Sequence, residues 1–335
     1  MRPLEHIRVV EFATVGGLPF CGWLLAQQGA ELTRVVPPQA RELGVPVAAA
    51  GDIGRWHRSE QVLDLKTGAG REQALQLVSQ SDVLLEGFRP GVMERLGLGP
   101  QECHARTPNL VYGRLVGWPR DGAWSQVAGH DINYIAMAGA LYAAGPERVP
   151  LNLVGDIAGG ALYLAFGIAA ALHARSAGKR GCVVDTAMTE GAAHLLSAVF
   201  GRLGVDSWND APAANVIDGG VPWYRSYCTA DGRHMAVGAI EERFYLNFLD
   251  VLGLDPSAIP PRTERSRWPE LEALIAARFL AAGFDHWCAR FEGKNACVTP
   301  VLTLHEARLH PVTGTAFAEQ NGIPLPRPVP RFHQA

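Results

Sequence analysis

Short β-branched runs recur through the first two hundred residues, each followed by a break and a longer segment of helical character. Ile7–Phe12 is the first. Gly16-Gly17-Leu18-Pro19 breaks the chain before a helical segment from Phe20 to Gln28, closed by Gly29, and Glu31–Val36 is the second strand. Strand, glycine turn, helix, strand is a βαβ unit, which implies a parallel sheet. The rhythm continues with a helix over Gly70–Gln80, strands at Val83–Glu86 and Leu110–Leu115, an apolar helix over Ile157–Leu172, a strand at Cys182–Asp185 and a helix over Met188–Phe200. It then stops. Residues 201–224 carry Asp, Asn, Pro and Gly and read as a linker. Beyond them Tyr227-Cys228-Thr229 and His234–Gly238 flank an Asp231-Gly232 turn, a hairpin pattern, and helices are expected at Glu242–Leu252 and Pro269–Leu280. The expectation is a large α/β domain with a parallel sheet over 1–200 and a smaller α+β domain over 225–300.

Composition narrows the class. With 335 residues, 48% hydrophobic and 19% charged, the chain is long enough for two compact domains. A net charge of −3 gives no reason to expect nucleic acid as a partner. Six scattered cysteines without a C-x-x-C pair argue against a structural zinc site and for a reducing, cytoplasmic setting. The first ten residues hold no signal-peptide pattern, and the apolar run from Ile157 stops at His173, short of a membrane span. The first glycine turn is not G-x-G-x-x-G, so no dinucleotide fingerprint is present; it reads as a tight turn or a close backbone approach to a ligand.

Proton-handling side chains concentrate between Ala128 and Gly160. His130 stands in A-G-H-D-I-N-Y-I-A and Asp156 in L-N-L-V-G-D-I-A-G-G, each among small residues. Asp156 is expected where a buried helix begins. An Asp there is ordinarily an N-cap, and a lone His near an apolar segment is ordinarily a satisfied core or surface residue. A glycine-rich helix start nevertheless favours developing negative charge. Arg89, just beyond the strand Val83–Glu86, is placed either as a surface turn residue or to meet a phosphate or carboxylate, because ligands of open α/β sheets bind beyond the carboxyl ends of strands.

The words A-G-H-D-I-N-Y-I-A, N-L-V-G-D and F-R-P-G-V-M-E-R followed by G-L-G-P resemble the α-methylacyl-CoA racemases of the family III CoA-transferase (CaiB/BaiF) superfamily. The resemblance covers nearly the whole chain and is weakest between Thr33 and Gln61. It implies a Rossmann-like large domain completed by 301–335, a small domain, and two chains interlinked as a homodimer. The implied reaction is inversion of the 2-methyl centre of an acyl-CoA thioester through an enolate, with no metal or other cofactor beyond CoA as part of the substrate. The positions matching the catalytic pair are His130 and Asp156, with Glu241 as a third active-site acid, although Glu241 also fits a plain acidic residue at a helix start. Arg34, Lys66 and Arg89 match positions that hold CoA, and Tyr224 a residue of the acyl pocket, although Tyr224 fits plain core equally. The chain departs from the pattern at Val36 and Pro37, which replace an acidic residue and a second arginine that helps to hold the nucleotide end of CoA, and at Glu60, which falls where the family has a basic stretch. Arg34, Arg55 and Arg58 remain for a phosphate, whereas Glu60 would repel one.

An α-proton beside a thioester is a very weak acid. Its removal needs a base in contact, a donor for the enolate oxygen and exclusion of water. Inversion needs two groups, one on each face of the enolate. Neutral His130 and ionised Asp156 fit those roles, with Asn152 or nearby backbone N–H groups orienting the carboxylate or binding the oxyanion. Three alternatives stay open: a family III CoA-transferase with Asp156 as nucleophile, an enzyme acting on a carrier-bound or other acyl thioester, and a catalytically dead scaffold.

Overall fold

The computed structural model describes residues 1–39, 48, 51–320 and 322–333. The stretch 40–47, within the region where the resemblance is weakest, lies outside the described residues.

Six parallel strands form one sheet in the order β3-β2-β1-β4-β5-β6, with β1 Arg8–Phe12, β2 Glu31–Val36, β3 Ser59–Val62, β4 Val83–Glu86, β5 Val111–Val116 and β6 Val183–Ala187. This is the doubly wound order that the βαβ rhythm implies. Its strand sequence reverses direction between β1 and β4, so a crevice opens at their carboxyl ends. Helices cover both faces, as a parallel sheet requires. On one face Val9, Leu85, Val111 and Leu115 pack under α1 (Gly17–Gln27) and α7 (Tyr163–Ser176). On the other, Val10, Phe12, Leu84 and Tyr112 pack under α2 (Gly68–Ser79), α3 (Val92–Arg95) and α4 (Pro100–Arg106).

The chain divides into two units. The first comprises residues 1–141, 148–198 and 318–335, and the second 142–147 and 199–317. Within the second, β7 (Tyr224–Cys228), β8 (His234–Gly238) and β9 (Val298–Pro300) form an antiparallel sheet. Helices α10 (Glu242–Leu252), α11 (Trp268–Leu280) and α12 (Phe284–Phe291) bury Phe248, Ile275, Phe279 and Phe291 against it. The expected hairpin and two helices are therefore present. The stretch 201–224 is more than a linker, because Val221 and Trp223 are buried in this second core. Residues 301–317 also group with the second unit rather than with the sheet.

Several local expectations change. The helix after β1 starts at Gly17, so only Gly16, with φ 82°, makes the turn. Residues 188–200 form two helices, α8 (Met188–Leu195) and α9 (Ser197–Leu203), rather than one. The apolar helix begins earlier than its pattern suggests: Leu153–Leu162 is a π-helix that runs directly into α7. The continuous helix, Leu153–Ser176, has 24 residues and a mean hydropathy of 1.7, long and apolar enough by length and composition to cross a membrane. The expectation that this run falls short of a span is thereby corrected. So is the expectation that it is buried: Leu153 is 53% exposed, Leu162 46% and Phe166 74%. Its small-residue face, with Gly155, Gly159, Gly160 and Ala161, is buried within the first unit.

A buried charge cluster ties β4, β5 and α3 together. Glu86 lies beside Arg114, which also pairs with Glu94. Burial raises the Glu86 carboxyl to about 7 despite both neighbouring arginines, Arg114 and Arg120. Its preference for the protonated form stabilises the fold fully below the ordinary carboxylate range, and this is lost as the pH rises through about 7. Glu86→Gln removes that dependence. Urea unfolding at acid and alkaline pH should show the wild type gaining on the variant as pH falls, by at most about 3 kcal/mol. Parallel pH dependences would show that Glu86 does not titrate in this range.

Candidate active site

The carboxyl ends of β1 and β4 define where a ligand should bind, and Asp156 lies there. Its Oδ2 sits 3.4 Å from where a Cβ on Gly16, in the turn after β1, would project. A Cβ on Gly17 would collide with the Asp156 carbonyl oxygen. The close backbone approach foreseen for this turn is thus to Asp156 itself. Glycine is needed because helix α1 starts flush against the π-helix.

Asp156 is not an N-cap. It is the fourth residue of the π-helix, whose preceding residue is Asn152. The Asn152 side-chain amide donates to Asp156 Oδ2 at 3.2 Å. The cap-like role falls to Asp131 instead: its Oδ1 accepts from the Gly155 N–H at 2.8 Å and the Asp156 N–H at 2.6 Å. These are donors that the start of a helix leaves without intrahelical partners. Burial raises the Asp156 carboxyl above its ordinary value. The Asn152 amide and His130 pull it down, while the Asp131 carboxylate pushes it further up.

His130 precedes helix α5 (Asp131–Met137) as its N-cap, with extended backbone and an exposed side chain. The Asn133 side chain accepts from the His130 backbone N–H at 3.0 Å, and the Asn133 N–H donates back to the His130 carbonyl at 2.8 Å. Aromatic packing holds the loop before it. The Trp118 indole donates to the Val127 carbonyl at 3.1 Å and meets the Tyr134 ring edge-on at 4.9 Å between centroids. The Tyr134 hydroxyl donates to the Gly129 carbonyl. A Cβ on Gly117 would enter the Tyr134 ring, which is why the strand exit is glycine. Burial pushes the Tyr134 phenol up to about 12, with Asp156 adding to the rise and Arg89 opposing it. Arg89, in the turn after β4, therefore bears electrostatically on the same place as Asp156.

The structure thus brings His130, Asp156, Asn152 and Arg89 to one region of the first unit. Lys66 is exposed in the turn between β3 and α2. Arg34 lies in register with Glu11 on β1 and Glu60 on β3, a row of alternating charge across three strands. Its Nε is 3.8 Å from Glu11 and its NH1 3.6 Å from Glu60. The two other arginines expected to meet a phosphate, Arg55 and Arg58, are committed elsewhere. Arg58, wholly buried, donates to Glu11 Oε1 and Oε2 at 3.2 and 2.9 Å, and to the carbonyls of Pro19, Ile53 and Trp56. Arg55 donates to both Glu60 oxygens at 3.2 and 3.0 Å, holding that carboxyl below its usual range. The expectation that Arg55 and Arg58 stand ready for a phosphate is therefore corrected, because internal carboxylates take their donors. Glu60 neutralises arginine rather than facing solvent alone. Glu241 and Tyr224 belong to the second unit. Glu241 is the exposed N-cap of α10, and Tyr224 is a partly buried residue packed on that unit's core.

Sequence reasoning passed over Asp131 and Tyr134, although both stand inside the word that holds His130. An acid directly after a helix N-cap was the available signal.

The fold and this site define a family. Residues 4–321 match CoA-transferase family III, and the chain belongs to it. It is 41% identical to alpha-methylacyl-CoA racemase of Mus musculus and 40% identical to that of Homo sapiens, in each case over 98% of this chain and 86% of the relative. It is 32% identical to succinyl-CoA–D-citramalate CoA-transferase of Chloroflexus aurantiacus, over 82% of this chain and 72% of that protein. Among solved structures, a CAIB/BAIF family protein from Brucella suis aligns with a TM-score of 0.83 at 21% identity, covering 99% of this chain and 93% of that one. At that identity the likeness speaks for the fold alone.

Proposed function

We propose that this protein racemises 2-methylacyl-CoA thioesters by 1,1-proton transfer through an enolate. The observation that carries the reading is the pairing of His130 with an Asp156 carboxyl raised by burial, in a chain about two-fifths identical to two racemases. Toward one enantiomer, neutral His130 takes the α-proton, negative charge moves to the thioester oxygen, and protonated Asp156 returns a proton to the opposite face. Toward the other enantiomer the roles reverse, with ionised Asp156 as base and imidazolium as acid. A raised Asp156 suits this exchange, because burial makes the protonated form it needs as an acid easier to reach than for an ordinary carboxylate. Asn152 orients the carboxylate. Lys66 and Arg89 meet the phosphates of the substrate with Arg34, Tyr224 lines the acyl pocket and Glu241 serves as the third acid, all carried over from the racemase resemblance. No cofactor takes part in this proposal beyond the CoA of the substrate. Its setting is cytoplasmic, and the working form is an interlinked homodimer. The exposed apolar face of Leu153, Leu162 and Phe166 supports a partner chain there.

The test is isotope wash-in. The protein is incubated with 2-methylacyl-CoA in deuterated water, and α-deuteration is followed by mass spectrometry. Incorporation that disappears in the His130→Ala/Asp156→Ala double variant supports the proposal. Folded wild-type protein that incorporates nothing removes it.

A second reading has its own support. Among the described residues beside β2 and β3, Arg58 is held by Glu11 and Arg55 by Glu60, so neither guanidinium is free for a phosphate. This favours a thioester on a phosphopantetheine arm without the adenosine phosphate. Tight, strongly salt-dependent binding of free CoA would count against it.

A further inference from the structure

Asp131 follows His130 directly, yet its side chain turns away from solvent. Only 6% of the residue is exposed. One carboxylate oxygen accepts from two successive backbone N–H groups, those of Gly155 and Asp156. The other, Oδ2, is buried without a hydrogen-bond partner. A buried carboxylate with an unsatisfied oxygen is costly, and stability alone gives little reason to keep one. Its placement accounts for it. Asp131 is the first residue of α5, whose N-cap is His130, and it grips the backbone of the residue whose side chain is the other half of the pair. A Cβ on Gly155 would crowd Asp131 Oδ1 at 2.7 Å, so a residue without one lets the grip form.

We infer that Asp131 is a positioning residue for the proton exchange, a single buried carboxylate that fixes Asp156 relative to His130. The inference rests on the function proposed above. Geometry comes first: proton transfer needs contact distance, and a displacement of about 1 Å costs on the order of 100-fold in rate. Charge comes second, since the Asp131 carboxylate contributes to the rise of the Asp156 carboxyl. The charged groups bearing on Asp156 are Asp131, which raises it, and His130, which lowers it. Tyr134 lies nearby on α5, with Arg89 acting on it. At the glycines of this segment and of the turn against it, the close neighbours from α1, β5 and α8 are Gly16 and Gly17 before and within α1, Leu115 in β5, and Met188, Gly191 and Ala192 in α8, none of which titrates.

Two variants separate geometry from charge. Asp131→Asn keeps an oxygen acceptor for the Gly155 and Asp156 N–H groups and removes the charge. Asp131→Ala removes both. Exchange of each 2-methylacyl-CoA enantiomer is measured against pH. In parallel, the Asp156 carboxyl is titrated by infrared difference spectroscopy against Asp156→Asn, which needs no turnover. Asp131→Asn should move both the Asp156 titration and the acid limb of exchange to lower pH, toward the enantiomer for which Asp156 is the base. Asp131→Ala should lose on the order of 100-fold in exchange. The inference is overturned if Asp131→Asn keeps the wild-type titration, or if folded Asp131→Ala exchanges within about threefold of wild type. An unfolded Asp131→Asn protein would overturn it too, by assigning the charge to stability. A wild type that exchanges nothing while the infrared shift appears would sink the proposed reaction, and with it the role in proton exchange, while showing that Asp131 does act on the Asp156 carboxyl.

Discussion

Asp156→Ala should stop racemisation in both directions by on the order of 1000-fold, and yet leave deuterium wash-in alive for one enantiomer. The asymmetry follows from having one base on each face. Without Asp156, His130 can still remove the α-proton it faces, exchange it with solvent and return a deuteron to the same side. The product is deuterated with retained configuration. The other enantiomer, which needs ionised Asp156, becomes inert. His130→Ala should give the mirror result, with the silent and active enantiomers exchanged. Chiral chromatography of the recovered thioester, combined with mass spectrometry, reads both outcomes. If either variant abolished wash-in for both enantiomers equally, the two residues would act as one unit on one face, and the two-base assignment would be wrong. If transfer of CoA to an added carboxylic acid, releasing the original acyl group as its free acid, persisted in His130→Ala and vanished in Asp156→Ala, the transferase reading would replace it.

Arg58→Ala should cost about 3–5 kcal/mol of stability, a larger effect than any surface substitution in this chain. The guanidinium and the Glu11 carboxylate are both wholly buried. Removing one leaves the other charged with nothing to balance it but Arg34, at 3.8 Å. Burial already raises the Glu11 carboxyl even with Arg58 opposing the rise. Without that arginine it rises further, so Glu11 folds most easily as the neutral acid. Such a group stabilises the fold below its unfolded value and loses that contribution as the pH climbs through its folded one. The Arg58→Ala deficit should therefore shrink as the pH falls, and Glu11→Gln in the same background should recover part of it at neutral pH. Urea midpoints for the wild type, Arg58→Ala and the Arg58→Ala/Glu11→Gln double variant decide the matter. A deficit independent of pH would mean that lost packing, rather than stranded charge, dominates.

The sheet was legible because its strands are short apolar runs spaced by helices, and such a rhythm admits few topologies. Asp156 stood out as a candidate, but its place in the helix was misread. An apolar run of small residues carries no mark that distinguishes π from α turns, so nothing in Asn152-Leu153-Val154-Gly155 announced that the helix had already begun. The same uniformity concealed which face is outward, because alanine, glycine and leucine alternate all round. The fate of the arginines was illegible for another reason. Glu11 and Arg58 are 47 positions apart, and only the parallel register of β1, β2 and β3 brings their neighbours into one row. His130 and Asp131 stood side by side in the sequence, and the residue that attracted attention was the one whose side chain is exposed.

The division of the chain bears on how it is made. The first unit uses residues 318–335, with Gln28 reaching the Pro330 carbonyl at 3.2 Å and Gln320 meeting His57 at 3.3 Å. All of residues 199–317 belong to the second unit and leave the ribosome before that tail. At about 5–20 residues per second, the nascent sheet waits on the order of ten seconds for its last segment. The smaller unit has all its residues once 317 is made, before the tail that the first unit uses, so the later-synthesised core is the one that can be finished first.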